Sequence, residues 1–335
     1  MPEASPLQEA QQRFVDALPR RSLPAEDCHL EAALGRILYE DLTAPEDMPP
    51  YPRAIVEGFL VRTEDTAGAS EEAPVDFEIV TTVHPGDAHC PEPGPGQAVQ
   101  VATGSIVAEG PYSIVRMWEA RVENGRALVS RPFPPRFFIE EQGCDIAKGD
   151  TVLAAGTRLG PAELGTIAGL GLAEIQVAKR PVVTLFSSGN EVIPFTEPLR
   201  PGAIRDCNAI MLAAAITEAG GVPRFAGIMR DDFDAFVTAV RQALGDSDMI
   251  VISGGTAVDG RDFISDLLRA VGELVVDGVP MRSGRPLIMG VADGKPLVCV
   301  AGHPPEALRG FRLFGVAAID RLTGRDAGLP PDPAA

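Results

Sequence analysis

From Arg180 onward, short apolar runs alternate with amphipathic stretches, and this alternation is what most constrains the fold. The runs are "PVVTLFS", "VPRFAGI", "DMIVIS", "GELVV" and "PLVCVAG". Each is too short for a helix and continuous in its apolar character, as expected of a strand buried on both faces. Between them, Phe233, Phe236, Val237, Val240 and Leu244 fall on one helical face, as do Leu308, Phe311, Phe314, Ala318 and Leu322. Asp231 and Asp262 stand where helix N-caps belong. The pattern predicts an α/β fold with a doubly wound, mostly parallel sheet. Ligands of such sheets bind outside the carboxyl ends of the strands. That rule singles out the loops "SSGNE", "IMRDD", "ISGGTAVDGRD" and "AGHPPE".

The chain has 335 residues, more than one core usually holds, so a multidomain body is expected. In residues 1–45, "LQEAQQRFVDAL" and "CHLEAALGRILYEDL" space their apolar residues by three and four. In residues 145–179, Pro161 opens a helix that a short strand follows. These two segments predict one discontinuous, elongated, mostly helical domain. Residues 46–144 alternate apolar and polar and are cut by Gly and Pro, which predicts a small all-β domain with "ENGR" as a hairpin turn. Residues 180–325 form the α/β domain, and residues 326–335 are expected to be a disordered tail.

The formal net charge is −18, and no basic stripe offsets it, which excludes nucleic acid and anionic membrane as partners. The five cysteines are scattered without a C-x-x-C pair, so neither a disulfide framework nor a Cys/His zinc site is expected. The N-terminus lacks the apolar stretch of a signal peptide, and no apolar run reaches membrane-spanning length, so a cytoplasmic protein is expected. Walker-type, dinucleotide-binding and nucleophile-elbow motifs are also missing.

The rim loops remain. Ser253, Gly254, Gly255 and Thr256 make a turn poor in side chains just before a helix, where backbone N–H groups can meet a phosphate. Ser187, Ser188, Gly189 and Glu191 make a second loop, whose carboxylate suits a metal or a hydroxyl. Arg282 and Arg285 flank a glycine and suit a fixed anion. Gly302, His303 and Pro304 end the last strand. Taken singly, each is also what an ordinary βα connection or hairpin tip looks like.

In order, "HLEAALGRILYEDLTAPEDMPPY", "CDIAKGDTVLAAGTRLGPAELGTIAGLGLAEIQV", "TLFSSGNEVIP", "PGAIRDCNAIML", "IMRDD", "VISGGTAVDGRD", "MRSGRP" and "AGHPPEA" resemble the molybdopterin molybdenumtransferase family, which includes MoeA and the gephyrin E domain. The resemblance covers nearly the whole chain. It implies a homodimer that binds adenylylated molybdopterin, hydrolyses it and inserts molybdate with the help of Mg2+. It also implies dealings with a molybdopterin adenylyltransferase or a molybdoenzyme client. By position it makes Asp262 and Glu191 the acids at the pyrophosphate and metal, and Asp231, Glu57 and Asp145 further site acids. Thr103, Asp206 and Asn208 join the ligand loops.

The departures from the family pattern gather at the site. Glu57 stands for an aspartate, Asn190 for another, and His303 for an asparagine. Gly278, Arg282 and Arg285 replace lysines, and the family's last β-barrel domain is expected to be missing. Two further readings therefore stay open: a protein that binds or delivers the cofactor without turnover, and, from "SGGTAVDGRDF", an activity like that of a molybdopterin adenylyltransferase.

Overall fold

The runs after Arg180 lie side by side in one six-stranded sheet. Its order is Val222–Met229, Val182–Ser188, Met249–Ser253, Lys295–Val300, Gly284–Ala292, Glu273–Met281. The first four strands are mutually parallel, and Gly284–Ala292 runs antiparallel to both its neighbours, so Glu273–Met281 shares the direction of the first four. The sheet is thus mixed: three of its five pairings are parallel, and an antiparallel pair closes one edge. "GELVV" opens a nine-residue strand that turns directly into a second nine-residue strand, Gly284–Ala292. A hairpin needs no crossover helix, so this pair could close the edge with very little chain. The computed structural model describes residues 5–20, 23–255, 263–281, 284–325 and 328–331.

Strand side chains alternate between the two faces. Val183, Leu185, Met249, Val251, Val298 and Val300 join one buried cluster, with the helices Asn208–Glu218 and Val316–Thr323. Phe186, Ile250, Ile252, Leu297 and Cys299 join the other, with Phe233–Asp246 and Phe263–Val271. Both faces are therefore covered, as the continuous apolar runs required.

The chain divides into two compact units, one of residues 1–40, 154–165 and 173–335, the other of residues 41–153 and 166–172. The first helix, Pro6–Asp16, belongs to the first of these and packs into the sheet core. Its Ala10 and Phe14 lie in one cluster with Val276, Val279, Phe314 and Ile319. Buried Gln11 donates from Nε2 to Leu313 O at 3.0 Å and to Pro330 O at 3.1 Å. Residues 328–331, expected in a disordered tail, are held at this point.

The expectation of a mostly helical 1–45 is corrected beyond Asp16. Ala25–His29 is a strand that pairs antiparallel with Glu174–Ala178, and Leu30–Ala32 is a single 3-10 turn. Gly35 at φ +74° stops any helix there. Arg36, also buried, donates to Ala178 O at 2.9 Å and bonds Glu26. The helix after Pro161 and the strand after it are present as Pro161–Gly169 and Glu174–Ala178.

The second unit holds the expected all-β module, a six-stranded sheet. "ENGR" is its hairpin turn, with Asn124 at φ +50° and Gly125 at φ +77° between Ala120–Glu123 and Arg126–Val129. Positive φ at both central residues matches the right-handed twist of the strands. In the same unit Glu119 takes two bonds of 2.9 Å from Arg116 and also pairs with Arg131. Chiefly through the Arg116 bonds, its pKa is lowered to about 2. A depressed carboxylate stabilises the fold above its unfolded pKa and loses that contribution as pH falls through the folded one. We expect acid titration between roughly pH 4.5 and 2 to remove about 2 kcal/mol from this unit. Tryptophan fluorescence of Trp118, the sole tryptophan, would follow it, and Glu119→Gln should flatten that step.

Candidate functional site

The parallel sheet reverses its direction of growth between Val182–Ser188 and Met249–Ser253, because the connection after the first goes to one side and the next goes to the other. Diverging connections leave a crevice at the carboxyl ends of these two strands. A cleft of about 430 Å³ occupies that place. It brings together Ser187, Ser188, Gly189, Glu191, Asp206, Asn208, Asp231, Ser253, Gly254, Gly255, Gly302, His303 and Pro304. All of these were singled out from sequence loops that lie up to 117 positions apart, Ser187 to Pro304.

Backbone geometry explains the two glycines after the strand. Gly254 has φ +91° and Gly255 has φ +76°. A Cβ on Gly254 would sit 2.6 Å from Ser188 O, and one on Gly255 would sit 2.8 Å from Ser188 Oγ. What comes close to this turn is first the end of the neighbouring strand. Glycine permits the approach and leaves the turn bare toward the cleft. Gly254 N donates to Val300 O at 3.1 Å, which ties the turn to a third strand.

Asn208 fastens the floor. Its Nδ2 donates to Ser253 Oγ and to Gly302 O, both at 2.8 Å, and Ser253 Oγ reaches Ala301 O at 3.3 Å. Asn208 is buried and spends both amide protons on the frame, so it holds two loops together. Asp206 Oδ1 accepts from Ala209 N at 3.0 Å at the start of Asn208–Glu218. Replacing Asn208 with leucine would leave Gly302 O and Ser253 Oγ without this donor, and we expect Asn208→Leu to lower stability by about 2 kcal/mol in chemical unfolding.

Three buried polar atoms belong to residues that line this cleft. Ser187 Oγ, Ser188 Oγ and Asp206 Oδ2 are buried and have no hydrogen-bond partner among the described residues. Their residues are 3%, 5% and 6% exposed, so solvent does little for them. Burying an unsatisfied hydroxyl or carboxylate oxygen is unfavourable, and such groups are rare outside functional places. Two donors and one anionic acceptor suit a ligand carrying both phosphate oxygens and a cation.

The rim is set by charge. Asn190 donates to Asp231 Oδ2 at 2.6 Å, and Arg230 Nη1 reaches Asn190 O at 2.7 Å and Gly189 O at 3.3 Å. Glu191 is exposed and folds over Gly189, where a Cβ would fall 2.7 Å from its carboxylate. The N-cap of Phe233–Asp246 is Asp232, through a 3.0 Å bond from Ala235 N, so the capping role expected of Asp231 belongs to its neighbour. His303 gives no side-chain cap to Pro304–Gly310.

Other expected site residues lie elsewhere. Arg285 donates to Asp277 O and Gly278 O at 2.8 Å and lines a different depression, beside Glu9 and Arg13. Its planar donors satisfy the hairpin's own carbonyls. Thr256, Asp262 and Arg282 lie outside the described residues. Glu57, Thr103 and Asp145 belong to the second unit and are exposed. There, donor atoms of Asp145, Glu140 and Cys144 lie within 4.8 Å of one another, and Glu140 is bonded by Arg53. Sequence reasoning missed Arg205 and Cys207 in the cleft, and Arg230 behind its rim. "PGAIRDC" and "IMRDD" carry all three, but their acids drew the attention.

Comparison with known proteins agrees with this arrangement. Residues 5–171 match the family described as MoeA N-terminal region (domain I and II), and residues 184–321 match a probable molybdopterin binding domain. A molybdopterin molybdenumtransferase of Bacillus subtilis is 35% identical over 290 residues, covering 85% of this chain and 67% of the relative. One from Staphylococcus aureus is 30% identical over 321 residues, covering 95% and 76%. A solved molybdopterin biosynthesis moeA protein from Pyrococcus horikoshii superposes with a TM-score of 0.82 at 27% identity, covering 97% of this chain and 81% of that one. With both halves matched in order, the chain belongs to the molybdopterin molybdenumtransferase family, MoeA.

Proposed function

We propose that this protein works in molybdenum cofactor biosynthesis. It binds adenylylated molybdopterin at the sheet cleft, releases AMP and accepts molybdate at the dithiolene. The observation that carries this is the group of buried atoms without partners among the described residues, Ser187 Oγ, Ser188 Oγ and Asp206 Oδ2, beside the bare Gly254–Gly255 turn. The serine hydroxyls donate to phosphate oxygens, and the turn admits a phosphate to the backbone. Anionic ligands are held at such strand ends by short, directed donors without any excess of positive charge.

The same donor set fits Mg2+. That ion takes one or two carboxylates and completes its shell with phosphate oxygens and water. Asp206 and Glu191 supply the carboxylates here, with Asp262 beyond the described residues. When bound, Mg2+ polarises the phosphoanhydride and offsets charge on the departing AMP. Asn208 and Arg230 hold the loops, and Asp231 stands fixed by Asn190 at the mouth. A homodimer belongs to this reading. Phe195, Leu199, Ile204 and Ile210 are each more than half exposed in one short segment beside the cleft, which favours cover by another chain. Light scattering should give twice 35.3 kDa, and a monomer at micromolar concentration would count against it.

The test is direct. Purified protein mixed with adenylylated molybdopterin and Mg2+ should release AMP, and chelation should stop it. Asp262→Asn should slow release by orders of magnitude while leaving the fold intact. Retained pterin with no AMP release would move the assignment to binding or delivery, and synthesis of the adenylylated form from ATP would move it to adenylyl transfer.

A further inference from the structure

Cys207 is a cleft residue with chemistry that the proposed reaction does not use. It is exposed, lines the cleft, and sits between two buried neighbours. Asp206 N donates to Ile193 O at 2.8 Å on one side, and Asn208 is tied to two loops on the other. The backbone that carries the thiol is therefore fixed. The thiol itself lies 3.9 Å from Asn208 Oδ1, a weak sulfur contact that leaves it available. Ser187, Ser188 and Asp206, whose buried oxygens lack partners among the described residues, line the same cleft, so polar groups that a ligand would satisfy surround the space before the thiol.

The other cysteines differ. Cys28, Cys90 and Cys299 are buried, and burial pushes the Cys90 and Cys299 thiols up, away from the reactive thiolate. Cys144 is exposed but lies in the second unit, outside this cleft.

We propose that Cys207 is a modification site at which a low-molecular-weight disulfide closes the ligand cleft. The Cys207 thiolate attacks one sulfur of the disulfide. A new Sγ–S bond forms, the old S–S bond breaks, and the departing thiolate takes up the proton that Cys207 gave to water. One disulfide and one thiol thus become one mixed disulfide and one thiol, with no further oxidant. A tripeptide thiol attached at Cys207 fills the space before Ser187, Ser188 and the Gly254 turn. Excess thiol reverses the step. The consequence for cofactor synthesis rests on the function proposed above, whereas the adduct and the closure do not.

Full-length Cys144→Ser protein treated with oxidised glutathione should gain one glutathionyl group by intact mass. The double variant Cys144→Ser, Cys207→Ser should gain none. Amide hydrogen exchange at residues 187–191 and 253–255 should slow in the adduct and recover with dithiothreitol. Affinity for AMP should fall at least tenfold on treatment, while Cys207→Ser, compared with its own untreated value, should not change. An unmodified Cys144→Ser protein, or an adduct that leaves exchange at both segments unaltered, overturns the proposal. If untreated protein binds no AMP, the functional reading fails, and mass and exchange still decide the fate of Cys207.

Discussion

Gly254→Val is expected to destabilise the α/β unit by about 2–6 kcal/mol. Two costs add. A β-branched residue at φ +91° is strained by about 1–3 kcal/mol. Its Cβ would also meet the Ser188 carbonyl at 2.6 Å, and because that atom is main chain it can yield only by moving a strand, a further 1–3 kcal/mol. Urea unfolding followed by far-UV circular dichroism would measure the loss, since the helices of this unit dominate the signal. Gly302→Ala is the internal control. Its Cβ would lie 3.6 Å from Gly254 Cα, an ordinary contact, so it should cost less than about 1 kcal/mol. If Gly254→Val unfolds like the wild type, the crowding of the two strand ends described above is wrong.

The second large effect concerns Asp206. Its two carboxylate oxygens differ: Oδ1 accepts from Ala209 N, and buried Oδ2 has no partner among the described residues. Asn at this position keeps an oxygen for the helix start, so Asp206→Asn should change stability by no more than about 1 kcal/mol. It removes the anionic oxygen that would hold a cation at the phosphates. AMP release should therefore fall by about 100- to 1,000-fold, in line with the loss of one preorganised electrostatic group. Asp206→Ala should lose the same activity and about 1 kcal/mol of stability besides. Full activity in Asp206→Asn would remove the cleft carboxylate from the chemistry.

How far these features are legible in the sequence depends on the distance over which each is determined. The Met249–Ser253 strand is wholly buried and the Lys295–Val300 strand is buried after Lys295, and their continuous apolar runs state as much locally. The loops at their ends follow from one topological rule, which is why most residues of the cleft could be named in advance. "CHLEAALGRILYEDL" misleads because its apolar spacing fits a helix, whereas Ala25–His29 pairs with a strand more than 140 positions away. No local pattern reports a partner at that range. Adjacent Asp231 and Asp232 are equally competent caps, and a tertiary bond from Asn190 claims the first. Arg285 reads as an anion ligand until the carbonyls of Asp277 and Gly278 are seen to take its donors. The unpartnered state of Ser187 and Ser188 is a property of the assembled sheet, and the sequence "SSGNE" shows only that hydroxyls are present.

The docking of Pro6–Asp16 against Glu273–Met281 fixes a schedule for the growing chain. The helix is made early, yet the apolar surface that receives Phe14, built from Val276, Val279 and Phe314, follows more than 250 positions later. At typical elongation rates the interval is on the order of tens of seconds. During it the first helix, 11 residues long, is too short to be stable alone. Its Phe14 remains open to trigger-type holdases and to proteases until the sheet's final edge is made. The arrival of Phe314 then becomes the step that locks the helix in place.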